Sequence, residues 1–115
     1  MPRTSLELKP RLIVKGERAI GPGKADLLEH IKATGSISAA AKKMDMSYSR
    51  AWQLIDTMNH AFKAAVVQAE SGGKRGGGAR VTEFGESVLA SYRSMQTAID
   101  KAAAPHAAAL AKFVR

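Results

Sequence analysis

The sequence predicts a mainly helical α+β domain carrying one basic, glycine-rich hairpin, and three observations lead there. Apolar residues recur at three- and four-residue spacing in successive segments, each opened by Pro, Ser or Thr. Between the last two such segments, Ser71-Gly72-Gly73-Lys74-Arg75-Gly76-Gly77-Gly78-Ala79-Arg80 breaks the pattern with five glycines and three basic residues. Residues 65–69 and Arg80-Val81 flank it as strands, joined by a connection too long for a tight turn. At 115 residues the chain fits one ordinary domain, 1–115, with a single modest core.

Each element follows from its local pattern. Residues 6–9 and 11–15 alternate or cluster as short strands, with Pro10 between them. Residues 16–23 hold turn formers. Pro22 opens a helix over 22–34, with Ala25, Leu27, Leu28 and Ile31 on its apolar face and Gly35 at its end. Ser38 is the expected N-cap of a short helix, 39–44, in which Ile37, Ala40, Ala41 and Met44 share one face. Asp45-Met46 breaks that helix, and Ser47 caps the next, about 48–62. There Ala51, Trp52, Ile55, Met58 and Phe62 fall on one side, and Ser49, Arg50, Gln53 and Thr57 on the other. Thr82 caps a long helix, with Glu83 and Glu86 well placed against the positive end of its dipole. Phe84, Val88, Leu89, Tyr92, Met95 and Ile99 run down its apolar side. Residues 101–105 are expected to interrupt it, leaving an alanine-rich last helix to Arg115. Helix, short helix, turn, helix, basic hairpin, long helix is the order of a winged helix-turn-helix. The helical core is 22–62 with a recognition helix at about 47–62, the wing is 65–82, and the long helix and tail are 83–115.

Charge points to a polyanionic partner, nucleic acid before an acidic membrane, and the winged-helix order narrows it to double-stranded DNA. The net charge is +8, and its excess is uneven. Residues 1–24 carry six Lys/Arg against two Glu, and residues 63–82 carry four against one, whereas residues 25–62 balance at four and four. The absence of cysteine excludes disulfides and thiolate metal sites and fits a reducing cytoplasm, the expected location. No segment reads as a signal peptide or approaches the roughly 18–20 apolar residues of a membrane span.

The helix pair has a specific physical logic. Two helices that cross closely need a small residue at the contact, which Ala40 or Ala41 supplies, and the apolar pair Met44 and Met46 holds the turn. A helix entering a major groove must keep its outer N-terminal face free of large apolar groups; Ser47, Tyr48, Ser49, Arg50 and Gln53 form such a face. An ordinary helical hairpin with solvated polar residues would show the same pattern. The glycine segment fails as a P-loop, because Lys74 is followed by Arg75 and three glycines rather than by Ser or Thr and a helix. It fails as a dinucleotide fingerprint because a strand follows it. A hairpin tip remains, in which glycine allows close backbone approach to a phosphate and Lys74, Arg75 and Arg80 supply charge; a solvated turn is the plainer alternative. His30, His60 and His106 lack metal-ligand spacing, and no nucleophile-base pattern suggests an enzyme. Trp52 sits where a helix more often buries a tryptophan than offers it for stacking.

Three strings together resemble the N-terminal DNA-binding domain of the ModE family of molybdenum-dependent transcriptional regulators, and more widely the LysR-type N-terminal domain. They are Gly35-Ser-Ile-Ser-x-Ala-Ala, Ser47-Tyr48-x-x-Ala51-Trp52-x-x-Ile55-x-x-Met58-Asn59, and Gly72-Gly73-Lys74-x-Gly76-Gly77-Gly78-Ala79-x-Val81-Thr82-x-x-Gly85. The resemblance covers about residues 22–95. It implies a winged helix-turn-helix, a homodimer joined through its long helices, a two-fold operator, and control of molybdate uptake and related genes. The family's C-terminal molybdate-binding domains have no counterpart in these residues, so no cofactor is expected here and molybdate enters by resemblance alone.

The expected function is that of a dimeric transcriptional regulator, a repressor, with a sequence-tolerant architectural DNA binder or a protein-interaction module as alternatives. Ser49, Arg50 and Gln53 are expected at base edges, with Arg50 best suited to a guanine. Ser47 and Tyr48 are expected to contact phosphate or cap the helix, and Lys74, Arg75 and Arg80 to contact the backbone. Leu89, Tyr92, Met95 and Ile99 are candidates for the dimer seam, or for packing within one subunit.

Overall fold

The computed structural model describes residues 4–70 and 78–115. Its elements are β1 (Leu12–Val14), β2 (Glu17–Ile20), α1 (Pro22–Thr34), α2 (Ile37–Lys43), α3 (Tyr48–Ala61), β3 (Val67–Glu70), β4 (Gly78–Val81) and α4 (Glu83–Ala111). The strands make two antiparallel pairs, β1 with β2 and β3 with β4. This is the expected mainly helical winged helix-turn-helix, with the β3–β4 hairpin as its wing.

Four local expectations are corrected. Residues 6–9 form no strand, while residues 17–20, expected as turn, form β2. Ala19 and Ile20 are buried side by side, so this strand shows no alternation; pairing with β1 makes it. Lys15 and Gly16 take positive φ, 51° and 83°, which closes the hairpin in two residues. The N-cap of α2 is Ser36, not Ser38: Ser36 is extended, and its Oγ accepts from the Ala39 amide at 3.1 Å. Moving the cap two residues earlier carries Ile37 into the first turn, where it is buried. Finally, α4 continues through Pro105. Proline's own φ is helical, the alanines around it favour helix more than any other residue, and the cost stays local at one missing hydrogen bond.

The core lies among the helices. Leu27, Leu28 and Ile31 of α1 meet Ile55 and Met58 of α3, and Val66 closes the cluster at the base of the wing. Ala40, Ala41 and Ala51 are at most 2% exposed, as the close crossing of α2 and α3 requires. Met44 and Met46 pack against the same core from the turn, where Asp45 takes a left-handed φ of 52°. Gly35, left-handed at φ 69°, caps α1 by donating to the Ile31 carbonyl, and its own carbonyl accepts from Ala79 at 3.0 Å. One glycine thus ends a helix and anchors the wing.

The wing is tied to the end of α3 by Asn59. Its Oδ1 accepts from the amides of Val66 at 2.8 Å and Val67 at 3.4 Å, and its Nδ2 donates to the Val67 carbonyl at 3.3 Å. No turn rule marks this residue in the sequence. Replacing Asn59 with Ala leaves half-buried amides unpaired, so a loss of about 1–3 kcal/mol is expected. Chemical denaturation checks it, and hydrogen exchange should show β3 opening before α1.

The long helix is fastened to α1 by Arg93 to Asp26 at 2.9 Å and Lys32 to Glu86 at 3.0 Å. Both pairs are partly exposed and screened by solvent, so they orient the helix more than they stabilise it. The Tyr92 hydroxyl donates to the Pro10 carbonyl at 2.8 Å, so the N-terminal arm lies along α4. Farther along, Thr4, Ser5 and Leu6 share a groove with Ala107, Leu110 and Val114. Among the described residues, no helix is long and apolar enough to cross a membrane.

Candidate nucleic-acid interface

The local chemistry of α3 sets out its face. Ser47 is extended, with φ −71° and ψ 157°, and its Oγ accepts from the Arg50 amide at 3.0 Å. It therefore caps the helix, and the hydroxyl proton is still available to a phosphate oxygen. Ala51, Ile55 and Met58 are buried, whereas Ser49, Arg50 and Gln53 are exposed at the helix start. Arg50 Nη1 makes a long 3.4 Å contact to Gln53 Oε1, which brings together two of the three side chains expected to read bases. Tyr48 is 51% exposed and packs edge-on against Trp52, with ring centroids 6.5 Å apart. The Trp52 indole N–H donates to the Tyr48 hydroxyl at 2.5 Å. Trp52 is half-buried against the core, the placement expected of a tryptophan at this helical position.

The wing places Arg80 on the exposed side of β4, where its Nε meets Glu70 Oε1 at 3.1 Å and its Nη2 donates to Gln68 Oε1 at 3.0 Å. That pairing across the hairpin partly neutralises the charge and fixes the guanidinium. Lys74 and Arg75 lie outside the described residues.

The four long-helix residues separate into two groups. Leu89 and Tyr92 are each 3% exposed and pack in the core of their own chain, the alternative role expected for them, which leaves little of either for a partner. Met95 is 38% exposed and Ile99 is half-buried. Met95 lies beside exposed Leu12 on an apolar cavity of about 310 Å³ that Phe62 and Val88 also line.

A second basic surface emerges beside α3. Arg50, Leu54 and Thr57 form one wall of a cavity of about 620 Å³, and Arg18, Lys24 and Arg11 stand around it. Lys24 donates to the Arg18 carbonyl. Its amine is held below the ordinary lysine value, first by burial and then by the positive charge of Arg50, with Glu17 acting in the opposite sense. The basic excess of residues 1–24 is countable in the sequence, and the fold sets part of it next to Arg50.

Comparison with known proteins agrees with this geometry. Residues 24–86 match the family model described as bacterial regulatory helix-turn-helix protein, lysR family. The chain is similar to the molybdenum-pterin-binding protein MopA of Rhodobacter capsulatus, 38% identical over 87 residues, covering 76% of this chain and 33% of that protein. It is also similar to the DNA-binding transcriptional dual regulator ModE of Escherichia coli K12, 41% identical over 71 residues, covering 62% of this chain and 27% of that protein. The chain thus spans about a third of the length of the curated relatives it matches. Among solved structures, the full-length LTTR LysG of Corynebacterium glutamicum with bound effector Arg aligns at a TM-score of 0.58 and 25% identity, covering 81% of this chain and 30% of that one.

Proposed function

The chain belongs to the lysR family of bacterial regulatory helix-turn-helix proteins, and from that membership we propose that it is a dimeric repressor acting on a two-fold DNA operator in the cytoplasm. The likeness to MopA and ModE supports genes of molybdate transport or of molybdoenzymes as its targets. It is read as a regulator and not an enzyme, as its relatives are. The observation that carries this reading is the two-sidedness of α3. Its inner face is buried against α1, while Ser49, Arg50 and Gln53 stand exposed at its capped N-terminal end. Those side chains can donate to N7 and O6 of guanine, or bond bidentately to adenine, once the helix lies in a major groove.

Dimerisation falls to the surface that α4 leaves uncovered, with Met95, Ile99 and the neighbouring Leu12 as its apolar residues. Selection of bound sequences from random duplex tests the whole reading, with enrichment of inverted half-sites expected. Retention of random sequence without enrichment would favour a sequence-tolerant architectural binder instead.

Lys74 and Arg75 are assigned to the DNA backbone. Replacing both with Ala should weaken binding to every duplex alike and flatten the slope of log affinity against log salt by about two units. A change in base preference with the slope intact would remove them from that role.

A further inference from the structure

We propose that the cavity between the β1–β2 hairpin, the start of α1 and α3 is a second DNA-backbone clamp, which grips the sugar-phosphate strand beside the recognition helix independently of the wing. Among the described residues five cations line it, Lys9, Arg11, Arg18, Lys24 and Arg50, against the single carboxylate of Glu17. They come from the N-terminal arm, the hairpin, α1 and α3, so the fold gathers them rather than any sequence run. Among the described residues none of the five is ion-paired, whereas Lys32, Arg80 and Arg93 are. Like charges held this close repel one another, and an anion between them relieves the repulsion. The lowered proton affinity of Lys24, caused by burial and by Arg50, reports the same crowding.

Size and position choose the ligand. A cavity of about 620 Å³ is far larger than one small oxyanion and suits a stretch of sugar-phosphate. Arg50 stands both in the wall of the cavity and on the exposed end of α3, so a strand held here continues into the groove that α3 would read. Among the described residues no lining residue comes from β3 or β4, so the strands of the wing take no part in the clamp. Arg11 packs its side chain over Gly21, with Cγ 3.0 Å from where a Cβ would stand, and this directs the arm toward the cavity.

The clamp presupposes that α3 enters DNA, and its test keeps the two apart. The double variant Arg18→Gln with Lys24→Gln keeps the long side-chain stems and removes two charges. Expected are equal loss of affinity on operator and random duplex, a salt slope lower by about two units, and loss of one cluster of phosphates from ethylation interference while a wing-dependent cluster remains. The charge-keeping variant Arg18→Lys with Lys24→Arg should retain the wild-type slope. An unchanged slope in a Gln double variant that melts like wild type would overturn the clamp while leaving the regulator reading intact. Failure of the wild-type chain to bind any duplex would overturn both. Sulfate, phosphate and molybdate titrated at equal ionic strength distinguish the free-anion source, and all three are expected to compete with DNA equally and weakly. Saturable binding of one of them, lost in the Gln double variant, would reassign the cavity to a small oxyanion and overturn the DNA clamp.

Discussion

Gly85→Ala should destabilise the fold by about 3 kcal/mol or more, the largest effect expected of a methyl group added at any of the described glycines. A Cβ at Gly85 would stand 2.2 Å from the Val66 carbonyl oxygen and 2.9 Å from its carbon and Cα, and all three are backbone atoms that no rotamer can move away. The approach cannot be relaxed cheaply, because hydrogen bonds hold both sides of it. The Thr82 amide donates to the Val66 carbonyl at 2.9 Å, and the Thr82 hydroxyl donates to the Ala65 carbonyl at 2.6 Å. The same hydroxyl accepts from the Gly85 amide at 2.9 Å, so the N-cap of α4 also staples the helix to the start of β3. Moving the helix outward breaks the cap and opens the base of the wing together. For a domain of about 100 residues the melting temperature should fall by at least about 10 °C. Gly23→Ala is the control, since a Cβ there meets nothing within 4 Å, and it should be neutral or slightly stabilising. Equal melting temperatures for the two variants would show that α4 does not press on Val66 as described.

Arg50→Ala should cost roughly 1–3 kcal/mol on the preferred operator and much less on random duplex, the signature of a bidentate guanine contact. The geometry supports that role through the exposed position at the start of α3 and the Gln53 amide that orients the guanidinium. Arg50 also borders the basic cavity, which makes the comparison of the two duplexes decisive. Loss confined to the operator assigns it to base edges. Equal loss on both duplexes, with a flatter salt slope, assigns it wholly to the backbone. Fluorescence anisotropy on the two duplexes at several salt concentrations separates these results.

The parts of the fold that could be read from residue order share one property: short range. Ser47 and Thr82 as caps, Pro22 as a helix start and Gly35 as a stop rest on bonds within four residues. The apolar stripe of α3 is equally local, since 3.6-residue periodicity puts Ala51, Ile55 and Met58 on one side wherever the helix is placed. Ser36 and Ser38 both satisfy the rule for the cap of α2, and the burial of Ile37 decides for Ser36. Pro105 stays within α4 for a related reason: the rule against proline in helices is an average cost, which a run of alanines can offset.

Features joined by distant contacts were hidden from the sequence. The helical period puts Tyr92 on an apolar side without saying what covers it; its hydroxyl reaches Pro10, 82 positions away, and its ring is buried within its own chain. Asn59 resembles an ordinary polar residue near a helix end until β3 arrives beside it. Gly85 is one glycine among ten in the chain, and only the backbone of Val66 makes it obligatory. The basic excess of residues 1–24 could be counted beforehand, but its meeting with Arg50 depends on how the β1–β2 hairpin packs against α3. Local hydrogen bonding and side-chain period are properties of neighbouring residues, so residue order prescribes them; burial, close approach and the gathering of charge belong to pairs far apart in the chain, and packing alone selects those pairs.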